Sequence, residues 1–334
     1  MVEPTAEEIW NLDKQELLDL LNSEVFVPKP KRIRFYAPSF SYYKTVSFCG
    51  SNKEFPTISV TGIGCALNCK HCGGRVLETM HHANTPKRLF LLCEKLKEDG
   101  ALGVLVSGGC LPDGSVPLGK LTEALSKVKR YLGLTIFVHT GIVEPETAAQ
   151  LKIAGVDAAL IDVIGSDETI REIYNLGITV RQYEDSLKAL SKVGMDVVPH
   201  VITGLHNGQL LGELNALKII KRNNPAAVVV ISFMPIQGTI MEKTKPPEPQ
   251  DIARSAAAAR AMFSETPLVL GCMRPKGKHR PETDILALKA GVNGIAFPSQ
   301  EAIQYTKTQG YEVTFSPYCC AQIYKDMRQN NRPS

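Results

Sequence analysis

Apolar, β-branched runs recur along the chain, and eight of them can be counted: residues 57–61, 103–106, 134–138, 158–163, 196–202, 227–233, 267–270 and 291–297. Each ends in a small or polar turn, and most of the intervals between them carry a helical pattern. Leu187, Leu190 and Val193, followed by Gly194, form one such apolar face with a C-terminal glycine. Near-continuous apolar strands alternating with helices predict a parallel sheet buried on both sides. Eight units predict an α/β fold of the closed (βα)8 TIM type, with chemistry at the C-terminal ends of the strands. A doubly wound open sheet is the alternative.

The flanks read differently. Thr5-Ala6-Glu7-Glu8 has the form of a capped helix start, and Leu17, Leu18, Leu20 and Leu21 give the stretch after it an apolar side. Residues 24–56 hold Pro28, Pro30, Pro38, Pro56 and several aromatics, which predicts a preamble wrapped on the main body. The expected organisation is therefore a helical and extended preamble over 1–56, a barrel over 57–300 and a C-terminal extension over 301–334. The basic stretch 29–34 (KPKRIR) reads as a solvated edge, with a docking site as the other possibility.

Composition narrows the function classes. In 334 residues, 38 Lys and Arg stand against 34 Asp and Glu, a balance too mild to argue for nucleic acid. No apolar run is long enough to span a bilayer, and the acidic start (MVEPTAEEIW) does not resemble a signal peptide. Nine cysteines is an odd number, and three of them fall within eight residues. That crowding argues against a secreted disulfide scaffold and for metal-ligating thiols in a reducing cytoplasm.

The three are Cys65, Cys69 and Cys72, spaced C-x3-C-x2-C directly after the first barrel strand. A loop of that spacing can wrap three thiolates around one corner of a 4Fe–4S cubane and leave the fourth iron open. A structural zinc site would normally close with a fourth ligand, and His71, His81 and His82 are poorly placed to supply one.

This triplet, in its strand context, resembles the signature of radical S-adenosylmethionine (radical SAM) enzymes. The resemblance implies that the three cysteines hold the cluster and that the cofactor's amino and carboxylate groups chelate the open iron. Reductive cleavage then yields a 5′-deoxyadenosyl radical that abstracts hydrogen, with an electron donor such as a ferredoxin or flavodoxin. His71, before the last cysteine, would lie against the adenine. Ser107-Gly108-Gly109 resembles the glycine pair that meets the cofactor's amino group, with Cys110 where a carboxylate is common.

Over most of 57–300 the order is similar to biotin synthase. By that similarity Arg181, opening the helix before strand five, faces the cofactor carboxylate, a role suited to a guanidinium fork. Asp162, at the end of strand four, would bond the ribose; capping a neighbouring turn is its other reading. His200 on strand five and Met234 after strand six are placed with the cofactor contacts, with core packing as the alternative for each and for His139.

Cys93 lies in an apolar helical run and reads as core. Cys110 reads either as a pocket-lining thiol or as a ligand. Cys49, Cys272, Cys319 and Cys320 flank the barrel or follow strand seven, and are expected to hold an auxiliary 4Fe–4S cluster; independent buried thiols are the alternative. Arg274 matches the arginine by which biotin synthase holds its auxiliary cluster. The stretches matching that enzyme's auxiliary cysteines carry Val106, Val138 and Val198, which argues against biotin synthesis.

Segments 33–40, 65–72 and 271–275 and the terminal cysteine pair resemble the split, two-protein lipoyl synthases. That resemblance implies a sulfurtransferase acting on an octanoyl chain on a lipoyl-carrier protein or its lysine peptide, with a second synthase subunit as partner. Mutase or lyase chemistry of the methylornithine-synthase or hydrogenase-maturation type would need no second cluster. A non-catalytic iron–sulfur protein is the rival outside the enzymes.

Overall fold

The computed structural model describes residues 3–38, 43–44 and 53–330. Eight parallel strands carry the barrel in chain order: β2 (Thr57–Ser59), β4 (Gly103–Ser107), β5 (Thr135–His139), β6 (Ala158–Asp162), β7 (Val197–Thr203), β8 (Val228–Ser232), β9 (Leu268–Leu270) and β10 (Gly294–Ala296). Each falls on one of the apolar runs read from the sequence. Helices α3 (Pro86–Glu98), α4 (Thr122–Lys127), α5 (Pro145–Ile153), α6 (Asp167–Tyr174), α7 (Val180–Lys192), α8 (Glu213–Lys221), α9 (Pro249–Met262) and α10 (His279–Lys289) occupy the crossovers. Their apolar faces cover the sheet, leaving residues such as Val104, Ile136 and Leu270 fully buried.

The sheet is larger than eight strands. The short β3 (His81–His82) pairs beyond β2, while β1 (Arg32–Tyr36) lies beyond β10, and β11 (Glu312–Ser316) pairs beyond β1. Among the described residues no ladder joins β11 to β3, so the sheet curls without closing. Preamble and C-terminal extension thus each contribute a strand to the barrel sheet. The stretch read as a solvated basic edge runs into β1: Lys29, Pro30 and Arg32 are exposed, Ile33 is buried, and Arg32 pairs with Glu312 on β11 at 2.7 Å. The helices α1 (Ala6–Asn11) and α2 (Lys14–Asn22), both opened by capping boxes, pack on α9, and Arg254 donates to the carbonyls of Ile9, Trp10 and Leu12.

Register decides which side chains face inward. His139 lies opposite Leu160, and Asp162, two residues on, lies opposite His200, so His139, Asp162 and His200 share one face at the strands' C-terminal ends. His200 pairs with Val229, Val229 with Val269 and Val269 with Gly294, which carries that face to β10. A Cβ on Gly294 would stand 2.9 Å from Ile323 Cδ1, so the tail after β11 packs on this same inner face. There α12 (Ile323–Asn330) follows a single 3-10 turn, with Ile323 and Tyr324 buried. Lys325 pairs with Asp157 at 2.7 Å and the Tyr324 hydroxyl donates to the Asp157 carbonyl, which fixes the tail at the foot of β6. No helix among the described residues is long and apolar enough to cross a membrane.

Candidate active site at the barrel mouth

The cysteine loop leaves β2 through a tight turn at Gly62 (φ +63°), with the Ser59 hydroxyl donating to the Gly62 carbonyl. Two neighbours hold it. On one side the Gly109 N–H donates to Thr61 Oγ1 at 2.7 Å, and the Ala66 N–H donates to the Cys110 carbonyl. On the other, the end of α6 braces the loop: Lys70 N–H donates to the Ile173 carbonyl, and Asn175 Nδ2 donates to the carbonyls of Leu67 and Asn68. Asn175 adopts φ +54°, a left-handed conformation that its short polar side chain tolerates at a helix end.

Two of the three thiols converge, and His71, expected to be poorly placed as a ligand, joins them, while Cys65 stands outside that group. Donor atoms of Cys69, His71 and Cys72 lie within 4.8 Å of one another. Hydrogen bonding from Cys110 holds the Cys65 thiol well below its ordinary range, at about 5, against the opposing effect of burial. The Cys72 thiol is likewise lowered, to about 4, by hydrogen bonding from Cys69 and then from His71. Thiolates are the form that binds iron, and the Cys69 thiol is pushed the other way, up, by its hydrogen bond with Cys72 and by burial. Cys110 therefore sits against Cys65 at the edge of the triplet.

His71 stacks near Tyr174, with ring centroids 5.1 Å apart, and its Nδ1 is buried without a hydrogen-bond partner. Asp162 Oδ1 is also buried and unpartnered. Facing orphaned polar atoms of this kind are what a bound polar ligand satisfies. Together with the cysteine loop, they fit a cubane cluster and a polar cofactor at the mouth. Gly108 lies beside Thr61, and Met234, half-buried, follows β8 at the same end of the barrel.

His139 Nε2 lies 3.4 Å from Asp162 Oδ1. Burial alone would lower the His139 pKa, but the Asp162 charge outweighs it and raises the imidazole. The carboxyl of Asp162 is correspondingly lowered, burial being outweighed by His139 and then His200. Burial pushes His200 down to about 4, so its ring is neutral.

The remaining cysteines divide. Cys93 is fully buried in α3, where burial pushes its thiol up to about 12, consistent with core. Cys319 and Cys320 are buried at the start of the tail with their thiols hydrogen-bonded to each other. The 3-10 turn beginning at Cys320 supplies the bend that an extended chain would lack. Both thiols interact electrostatically with Cys272, and Cys319 also with His139. Cys49 lies outside the described residues, as do Ser39 and Phe40 of the segment 33–40.

Two residues placed by resemblance stand differently here. Arg274 is fully buried: Nε donates to Asp284 Oδ1 at 2.8 Å, and its other nitrogens donate to the carbonyls of Gly271, Ala296 and Phe297. A guanidinium so paired has no free lone pair to offer a metal, so it acts as a clamp between β9 and β10. The Arg181 side chain is 84% exposed and meets Asp185 at 3.6 Å on its own helix, away from the loop's hydrogen bonds. Sequence reasoning did not foresee Tyr174 and Asn175 as braces of the cysteine loop. The Asn175–Gly177 break after a helix was the one available signal.

Three cysteines in the loop after the first strand of a parallel α/β barrel are a donor set suited to an iron–sulfur cluster at the mouth of the barrel. Residues 59–209 match the radical SAM superfamily, a family whose members carry a 4Fe–4S cluster and use S-adenosylmethionine. The chain is 26% identical over 294 residues to a biotin synthase of Coxiella burnetii, covering 82% of this chain and 87% of the relative. It is also 26% identical over 256 residues to a biotin synthase of Neorickettsia sennetsu, covering 72% and 74%. Its fold is similar to a methylornithine synthase, with TM-score 0.63 and 16% identity over 97% of this chain and 95% of the other. A maturase of the FeFe-hydrogenase gives TM-score 0.64 at 17% identity over 98% and 75%.

Proposed function

We propose that the protein is a radical SAM sulfurtransferase, one component of a two-protein lipoyl synthase acting on an octanoyl chain on a carrier protein. One observation carries this reading: the Cys319 and Cys320 thiols, hydrogen-bonded to each other, both interact electrostatically with Cys272, and Cys319 with His139. Two separate groups of thiols suit a reaction that needs both a radical source and a sulfur source. The cluster and cofactor, when bound, supply hydrogen abstraction from an unactivated carbon, for which base catalysis offers no route.

In this reading Cys65, Cys69 and Cys72 hold the first cluster, and Gly108 and Gly109 bring backbone close to it. His71 offers its unpartnered Nδ1 to adenine, and Asp162 a carboxylate oxygen to ribose. His200 and Met234 line the same mouth, and Arg181 would reach the cofactor carboxylate after leaving Asp185. Cys272, Cys319 and Cys320, with Cys49, hold the auxiliary cluster, while Arg274 fixes the β9 loop that presents Cys272. The barrel wall excludes water and orients the acyl chain. The partners are the octanoylated carrier or its lysine peptide, a second synthase subunit and a ferredoxin or flavodoxin, in a reducing cytoplasm.

The test counts iron anaerobically. A variant with Cys65, Cys69 and Cys72 replaced by Ala should still reconstitute about four irons, the content of one cubane. Adding Cys272→Ala or Cys319→Ala with Cys320→Ala should remove them. Wild-type protein should add sulfur to an octanoyl-lysine peptide, seen as a mass increase. A triplet variant that binds no iron overturns the auxiliary cluster, and the lipoyl reading then gives way to mutase or lyase chemistry.

A further inference from the structure

We propose that His139, Asp162 and His200 form a mononuclear site for a divalent transition metal, separate from both groups of cysteines. Their donor atoms all lie within 4.8 Å of one another on three consecutive strands. Two imidazoles and one carboxylate on one face is a donor set suited to iron(II), cobalt(II) or zinc(II).

Two observations beyond the clustering point to a cation. His200 Nδ1 lies 3.1 Å from the Val198 carbonyl, and against a carbonyl only a protonated nitrogen can bond. That bond fixes the tautomer, so Nε2 of the neutral ring carries a lone pair. It is the arrangement by which metal-bound histidines are oriented, the second nitrogen donating to a backbone oxygen. The other observation is Asp162 Oδ1, buried without any hydrogen-bond partner. Its 3.4 Å separation from His139 Nε2 is longer than a good hydrogen bond, yet suits two ligands on one metal. The nearest charge partners of the Asp162 carboxylate are His139, His200 and His71. A dication would satisfy the unpartnered Oδ1, and Asp162 Oδ2 would remain for a hydroxyl of a bound cofactor.

The site does not rest on the octanoyl reading, because none of its ligands is a cysteine. Cobalt(II) alone is the probe. Cluster-loaded, full-length protein in the oxidised, diamagnetic cluster state should retain one equivalent of cobalt through equilibrium dialysis. The bound ion should give a high-spin electron paramagnetic resonance signal with no sulfur-to-cobalt charge-transfer absorption. Asp162→Asn, which keeps the side chain's shape, and His200→Ala should each weaken retention at least tenfold, with unchanged melting temperatures showing that the fold survives. Failure of wild type to retain cobalt, retention unchanged in both variants, or a thiolate charge-transfer band on the bound ion would each overturn the site. If His200→Ala does not fold, Asp162→Asn alone decides.

Discussion

Gly109 approaches Cys65 so closely that a Cβ on it would stand 2.7 Å from the Cys65 Cα, and 2.0 Å from the Gly64 carbonyl oxygen. Both obstacles are backbone, so neither can swing aside. Gly109→Ala should therefore displace the cysteine loop and leave the barrel intact. Overpacking of this kind costs roughly 1–3 kcal/mol. The expected result is a folded protein by circular dichroism whose triplet no longer assembles its cluster. Full iron occupancy with an unchanged cluster spectrum would count against the tight packing.

The buried Arg274–Asp284 pair separates a clamp from a ligand. Breaking a buried ion pair by removing one partner costs about 3–5 kcal/mol. Asp284 also accepts from the Ser299 N–H at 2.7 Å, so it ties β9, α10 and the start of α11 (Gln300–Thr308) together. Arg274→Ala and Asp284→Ala should destabilise the cluster-free protein to a similar extent in urea unfolding. Were Arg274 chiefly a metal ligand, cluster-free stability would be indifferent to it.

Glu213 makes stability depend on pH in an unusual direction. It is buried in α8, its Oε1 accepts from the Gly204 N–H at 2.8 Å, and its Oε2 has no partner. Burial pushes its carboxyl up to about 7 from 4.5. The folded protein therefore binds a proton that the unfolded chain has released between those two values, and the stabilisation present below pH 4.5 is lost as pH rises through 7. Glu213→Gln should raise stability at pH 8 by on the order of 2 kcal/mol and give little gain at pH 4. Equal gains at both pH values would show that the carboxyl does not titrate in this window.

Asp157 anchors the tail. Its carboxylate accepts from Lys129, Lys325 and the Ile136 N–H, and its carbonyl accepts from Tyr324 at 3.0 Å. Tyr324→Phe combined with Lys325→Ala should free the tail to open. In cluster-free protein, Cys319 and Cys320 should then react with iodoacetamide faster than in wild type, followed by peptide mass spectrometry. Cys93, in α3, should stay unreactive in both.

The eight barrel strands were legible because each is buried on both faces and so reads as an unbroken apolar run. β1 and β11 were not. Arg32 and Arg34 alternate with Ile33 and Phe35, and in β11 (EVTFS) Val313 and Phe315 alternate with polar residues, a half-exposed pattern easily taken for irregular edge. The triplet loop was legible from spacing alone. The juxtaposition of His139 with Asp162 was not, because it depends on inter-strand register, which no local pattern records. Nor could the sequence reveal that Arg274 is enclosed by carbonyls, since those come from Gly271, Ala296 and Phe297 on two different strands' ends.

The placement of the tail on the inner face of the sheet has a consequence for biogenesis. Cys65, Cys69 and Cys72 leave the ribosome early, whereas Cys319 and Cys320 emerge only after every barrel strand has been made. The inner face cannot receive Ile323 against Gly294 until β10 has docked beside β9. The two thiol groups are therefore completed at opposite ends of synthesis. A nascent chain stalled before Cys319 would expose the triplet loop to the cell's iron-delivery machinery while the other group does not yet exist, so maturation has an inherent order written into the threading of the chain.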